Sequence, residues 1–226
     1  MRVVAGGFPK RLADSLQAPV DREDPLQLLH DLCAVVNESD SYTAGHMTRV
    51  ADVAAVLARL IDCSAADIEL VRRAGLLHDI GKIGIPEKVL RKHGALTKEE
   101  RHMIDLHPIF GASILARVPE AAPLVPAVLH HHEHWDGSGY PGKLSMTDIP
   151  LHARVISIAD AFDAMTSYRT YGPALTSDAA LEELRRCSGA QFEPRLVDTM
   201  HDAFSYGLVE RRRSLVFPES AGGMLG

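Results

Sequence analysis

The stretch Leu76–Pro86 reads L-L-H-D-I-G-K-I-G-I-P and sets an imidazole, a carboxylate and an ammonium close together: His78, Asp79 and Lys82. The apolar residues leading into it, Ala74, Leu76 and Leu77, predict a buried helix end. Gly81 and Gly84 predict the stop of that helix, because glycine takes the backbone of a C-cap without steric cost. A carboxylate at a helix C-terminus meets the negative pole of the helix dipole. A cation should offset it, and a metal ion is the obvious candidate. Taken alone, a His-Asp pair also caps a surface helix, so the rest of the chain has to decide.

The chain has 226 residues, 46% hydrophobic and 24% charged. That length carries a sizeable core in one domain with short tails. We place a loose arm at 1–22, the domain at 23–208 and a tail at 209–226. The net charge of −6 offers no basic footprint for duplex nucleic acid. An anionic substrate would therefore need local cations. Cys33, Cys63 and Cys187 are widely spaced, form no metal knuckle and leave an odd thiol, which predicts a reducing cytoplasm. The start, Met1 to Arg11, is too short in apolar residues for a signal peptide. No run reaches the roughly 18 apolar residues of a membrane span. The twelve histidines are the anomaly, and several cluster.

Read in order, the apolar residues recur at helical spacing. Asp24-Pro25 opens a helix through Leu28, Leu29, Leu32, Val35 and Val36, ending at Asn37–Asp40. A second stripe runs from Met47 to Ile61, with His46 on its first turn facing the core side. Ser64 and Asp67 form a capping-box pattern that opens the helix ending at His78-Asp79. Thr97 and Glu100 repeat it before a helix that reaches His107-Pro108, where proline should bend the chain. Leu124–His132 predicts a helix ending in three consecutive histidines. The seven residues Asp136–Gly142 hold three glycines and a proline and read as a turn-rich loop. Leu151–Ser167 is a helix with Asp160 among apolar neighbours, and such an acid needs a partner if buried. Residues 177–187 and 194–206 close the fold. No strand pattern emerges, so the class is all-α, with about seven or eight helices.

His46, His78, Asp79, Lys82, His107, His131, His132 and Asp160 each end or interrupt a helix, or put a polar group in an apolar run. Histidine with carboxylate and no thiol suits Fe, Mn, Zn or Co. The seven candidates other than Lys82 exceed what one mononuclear site needs. Two metals sharing a bridging carboxylate would use them all, a recurring device for cleaving phosphoesters.

His78-Asp79, with His46 before and Asp160 after, resembles the HD-domain metal phosphohydrolases. The longer pattern is narrower. H-D-I-G-K-I-G-I-P, then His107, then H-H-E-x-x-D-G-x-G-Y-P (His131 to Pro141), then I-P-L-x-A-R-V-x-x-I-A-D-A-F-D-A-M-T-S-x-R (Ile149 to Arg169) resembles the HD-GYP family of bacterial cyclic di-GMP phosphodiesterases. The likeness covers about residues 25–205. It implies an HD-type helical domain around a buried dinuclear site. His46, His78, Asp79 and Asp160 would hold one divalent ion, Asp79 bridging to a second held by His107, His131 and His132. Fe or Mn is expected, with Zn, Co and Ni as alternatives. Lys82 would face the scissile phosphate and Arg169 would bind a substrate phosphate. Gly137, Gly139 and Tyr140 belong to the signature loop, expected to shape the substrate mouth or a surface for diguanylate cyclase (GGDEF) partners. An oligomer is compatible with this reading.

Two positions depart from the family pattern. Gly172 stands where many members carry a cation, and Tyr42 stands where some carry a metal-binding Glu. Other residues have plainer readings. Glu133 is expected to orient a ligand histidine. His130 and His134 read as supporting or exposed groups, and His30, His93, His102, His152 and His201 as ordinary helix or loop residues. Trp135 either stacks on a guanine or packs beside the loop. Two further functions stay open: hydrolysis of another nucleotide, and a silent receptor or scaffold that binds cyclase partners.

Overall fold

Most of the apolar stripes become buried helix faces in the computed structural model, which describes residues 25–39, 45–92, 94–167 and 174–209. We number the helices α1 (Pro25–Ser39), α2 (His46–Leu60), α3 (Ala65–Leu77), α4 (Glu87–Leu90), α5 (Lys98–Asp105), α6 (His107–Leu115), α7 (Val125–His130), α8 (Leu151–Thr166), α9 (Ser177–Arg186) and α10 (Pro194–Ser205). Short 3₁₀ turns fill Ile80–Gly84, Pro119–Leu124 and Met146–Asp148. Among the described residues eight helices have eight or more residues, and no strand occurs beyond an isolated Ser188–Phe192 bridge. The all-α expectation is borne out. No helix of the described residues is long and apolar enough to cross a membrane.

Helix α2 is the central element and packs on α3, α8 and α10. Its Val50, Ala54, Leu57 and Ala58 are fully buried, as are Val155, Ile156, Ile158 and Ala159 of α8. The small residues set the spacing. A Cβ on Gly75 of α3 would lie 2.9 Å from the Ala51 Cα, so α2 and α3 touch backbone to backbone. A smaller cluster under α5 and α6 unites Ile85, Val89 and Leu90 with Leu96, Ile104 and Phe110. The predicted caps form: Ser64 Oγ accepts from Asp67 N, and Thr97 and Glu100 complete a full capping box.

Three local expectations need correction. Gly81 and Gly84 are not left-handed caps, since neither has a positive φ. Gly81 is needed for close approach. A Cβ there would lie 1.9 Å from the His107 carbonyl oxygen and 2.4 Å from Gly111 N. Second, Pro108 does not bend a continuous helix. Helix α5 ends at Asp105, and α6 begins anew with proline in its first turn, where the missing N–H costs nothing. Third, the histidine-bearing helix is shorter than expected, because Pro119–Leu124 winds as 3₁₀ and α7 stops at His130.

The Gly81 contact carries a prediction. Both clashing groups are backbone, so Gly81→Ala has no cheap relaxation and should cost about 3 kcal/mol. For a chain of this size that is roughly 6–12 °C in Tm. Thermal denaturation checks it; an unchanged Tm would mean that the turn and α6 can part freely.

Candidate metal centre

Chain breaks between helices bring the polar groups together. His46 is the first residue of α2, and His78 is the cap residue that ends α3. Asp79 leads into the 3₁₀ turn that carries Lys82. His107 opens α6, while His131 ends α7 and His132 follows it. Asp160 lies inside α8. All eight converge at the centre of the helical layers. His46, His78, Asp79, Lys82, His107 and His131 are buried, while His132 and Asp160 are partly exposed.

They fall into two groups. The ligand atoms of His46, His78 and Asp79 all lie within 4.8 Å of one another, and so do those of His107, His131 and His132. Asp160 Oδ1 joins the first group, 3.5 Å from His46 Nε2 and 3.9 Å from His78 Nε2. Asp79 addresses both groups with different oxygens. Its Oδ2 is 3.3 Å from His78 Nε2, and its Oδ1 is 3.4 Å from His107 Nε2. Lys82 Nζ sits 2.9 Å from the same Oδ2.

The tautomers follow from the far side of each ring. His78 Nδ1 faces the Gly75 carbonyl at 2.8 Å, His107 Nδ1 that of Ile104 at 2.7 Å, and His131 Nδ1 that of Val128 at 2.7 Å. A carbonyl only accepts, so each Nδ1 carries a proton and each ring turns Nε2 inward; in the neutral ring that Nε2 is a lone pair. His107 Nε2 and His131 Nε2 then face each other at 3.3 Å, two lone pairs in a buried space. Among the described residues, His78 Nε2 and Asp160 Oδ1 are buried with no hydrogen-bond partner. Orphaned polar atoms of this kind cost about 1–3 kcal/mol each. A cation among them removes the repulsion and the orphans together, so the His/Asp clusters fit metal ions and could hold them.

Charge is divided unevenly. Burial lowers the affinity of His78 for a proton, but Asp79 and Asp160 outweigh it and lift its pKa to about 9. Burial would raise Asp79, yet Lys82 and His78 hold it well below the usual carboxylate range. Burial lowers His107, and burial with neighbouring imidazoles pushes His131 and His132 well down. The second group thus stays neutral, the form in which histidine ligates.

The signature loop borders this second group. Tyr140 N donates to the His132 carbonyl at 3.1 Å, and the two rings lie 5.0 Å apart. Burial raises the Tyr140 phenol, so it stays protonated. Gly139 permits this fold-back, since a Cβ would come within 2.2 Å of His134 N. Gly137 takes a left-handed turn at φ 83°. Glu133 does not orient His131 or His132, contrary to expectation. It is buried, its Oε1 accepts from Gly142 N at 2.5 Å and faces His130 Nδ1 at 3.3 Å, and its Oε2 accepts from Leu144 N at 3.2 Å. It therefore pins the loop. Trp135 packs, with the Arg154 guanidinium 5.7 Å from its ring centroid. His134 pairs with Ser138 Oγ at 2.9 Å.

Arg169, Tyr42 and Gly172 lie outside the described residues. The sequence reading missed Asp163, which is buried on α8 with Oδ2 2.8 Å from His46 Nδ1. Its available signal was the same as that of Asp160: an acid in an apolar helical run.

The HD-domain family model matches residues 31–196. The cyclic di-GMP phosphodiesterase response regulator RpfG of Xanthomonas campestris is 38% identical over 195 residues, 84% of this chain and 50% of that protein. The 3′3′-cGAMP-specific phosphodiesterase 2 of Vibrio cholerae is 36% identical over 183 residues, 79% of this chain and 35% of that one. The chain thus spans half the length or less of these curated relatives. Among solved structures, Bd1817, an HDG"Y"P protein from Bdellovibrio bacteriovorus, superposes with a TM-score of 0.61 at 19% identity, over 80% of this chain and 62% of that one, a likeness of fold. The chain belongs to the HD-domain family, and the HD-GYP resemblance carried by its motifs is borne out.

Proposed function

We propose that this chain is a metal-dependent phosphodiesterase that hydrolyses cyclic di-GMP to the linear dinucleotide pGpG. The observation that supports this most is the two-sided Asp79, one oxygen toward each histidine group, with Lys82 at its edge. His46, His78, Asp79 and Asp160 would hold one divalent ion; Asp79, His107, His131 and His132 would hold the other. When bound, such a pair, iron or manganese before zinc, cobalt or nickel, supplies an acidified water and Lewis-acid charge at phosphorus. The chain's own part is to place the phosphate beside that pair. Lys82 gives charge to the phosphoryl oxygens as the bond to the sugar 3′ oxygen breaks. Arg169 binds a substrate phosphate. Gly137, Gly139 and Tyr140 build the rim beside His132, with the Tyr140 hydroxyl as a donor, and the same loop is the surface offered to a diguanylate cyclase.

The relative from Vibrio cholerae named for 3′3′-cGAMP favours that dinucleotide as the second reading. Metal analysis with product chromatography on one purified sample, across a panel of cyclic dinucleotides, decides between them. We expect two metals per chain, because the phenol at Tyr42 is a poor ligand at its ordinary pKa of about 10. We expect pGpG to accumulate from cyclic di-GMP, with GMP late or absent, since neither a third metal nor a cation at position 172 helps hold the linear product. Preference for cGAMP would move the assignment to the second reading. Three tightly held metals, or GMP as the dominant early product, would overturn the account of Tyr42 and Gly172.

A further inference from the structure

His46 is anchored unlike His78, His107 and His131. His78, His107 and His131 each lean on a backbone carbonyl three residues earlier. His46 opens its helix, directly after Gly45 at φ 86°, and its Nδ1 meets a side chain instead. That side chain is Asp163, at 2.8 Å. Asp160 and Asp163 are one turn apart on α8 and share a face. Asp160 Oδ1 is 3.5 Å from His46 Nε2, while Asp163 Oδ2 meets Nδ1. One turn of α8 therefore addresses both edges of one imidazole.

Asp163 is itself held firmly. Arg49, one turn after His46 on α2, donates from Nε to Oδ1 at 2.7 Å and from Nη2 to Oδ2 at 3.0 Å. Ser167 Oγ donates to Oδ2 at 3.1 Å and accepts from Arg49 Nη2 at 3.0 Å. A bidentate guanidinium fixes the carboxylate plane, and the fixed plane aims the imidazole. A carboxylate behind a ligand histidine also sets the tautomer and makes Nε2 a stronger donor than a carbonyl does.

We infer that Asp163 is the positioning residue of the His46 half of the centre, holding that imidazole for a divalent ion while Arg49 and Ser167 hold Asp163. The inference rests on the metal-centre reading above. A simple clasp between α2 and α8 would predict something else: lost stability, with both metal sites spared or both lost together.

The test is an optical titration of the metal-stripped full chain with Co²⁺, whose d–d absorption reports the ligand set, with far-UV circular dichroism on the same samples. The unsubstituted chain should take two equivalents. Asp163→Ala should keep one equivalent at unchanged affinity and weaken the other on the order of 10–100-fold, with an altered spectrum for that equivalent. Asp163→Asn keeps an acceptor oxygen and the volume but loses the charge; it should weaken the same equivalent about tenfold. Should the alanine variant not fold, the asparagine variant alone carries the test. Unchanged affinities in a folded variant would overturn the inference, as would equal weakening of both equivalents. No uptake by the unsubstituted chain would overturn the metal-centre reading itself, and this inference with it.

Discussion

Replacing His78 or Asp79 by Ala is expected to abolish hydrolysis and lower the metal content. Asp79 is the stronger case. Its two oxygens lie 3.3 Å from His78 Nε2 and 3.4 Å from His107 Nε2, and no other carboxylate among the described residues makes contacts to both histidine groups. Alanine removes that link and also takes away the carboxylate oxygen that lies 2.9 Å from the buried Lys82 ammonium. Breaking a buried pair by deleting one partner costs about 3–5 kcal/mol. Asp79→Asn separates the two effects, since it keeps the volume and one acceptor oxygen but cannot bridge as an anion. Both variants should lose turnover, and elemental analysis should find fewer than two metals per chain. Retained turnover at normal metal loading, in a chain whose circular dichroism is unchanged, would sink the two-metal reading.

Lys82→Ala should fail in a different way. Lys82 contributes no lone pair to a metal while it is an ammonium, so its loss removes no ligand. It instead removes a cation that competes for Asp79 Oδ2, so metal occupancy should hold. The effect belongs to the transition state, where charge gathers on the phosphoryl oxygens. Loss of one such preorganised donor costs on the order of 10²–10³ in kcat, about 2.7–4 kcal/mol. Steady-state kinetics beside metal analysis checks both halves. Lost metals would make Lys82 a structural residue, and a raised KM with unchanged kcat would make it a binding residue only.

Most of the centre is legible in the sequence because its residues break local rules. His78-Asp79 ends an apolar helix, His131 and His132 end another, and Asp160 interrupts a third. Periodicity also finds the helices, since one face of each is apolar. What stays hidden is tertiary. Asp163 shares with Asp160 the signal of an acid in an apolar run, but its partner shows only when α2 brings His46 against it across 117 residues of chain. Glu133 adjoins two ligand histidines in the sequence, yet the loop's return offers it the Gly142 and Leu144 N–H groups instead. Gly81 shows the same limit. A glycine required by left-handed backbone and one required by a neighbour's carbonyl read identically as letters, and only the 1.9 Å approach of the His107 oxygen separates them.

The contrast between carbonyl and carboxylate anchors bears on how the centre can be retuned. A backbone carbonyl is not encoded by its residue's side chain, so substitutions at Ile104 or Val128 leave the same acceptor behind His107 and His131, and at Gly75, behind His78, any side chain is barred by the Ala51 backbone. Those rings are shielded from tuning by single substitutions behind them. Asp163 is different, because one codon change alters the charge behind His46. Selection and protein engineering thus have a dial behind one histidine of the centre and a fixed mount behind three others. A library at positions 49, 163 and 167 is therefore the compact place to search for altered metal preference without replacing a ligand histidine.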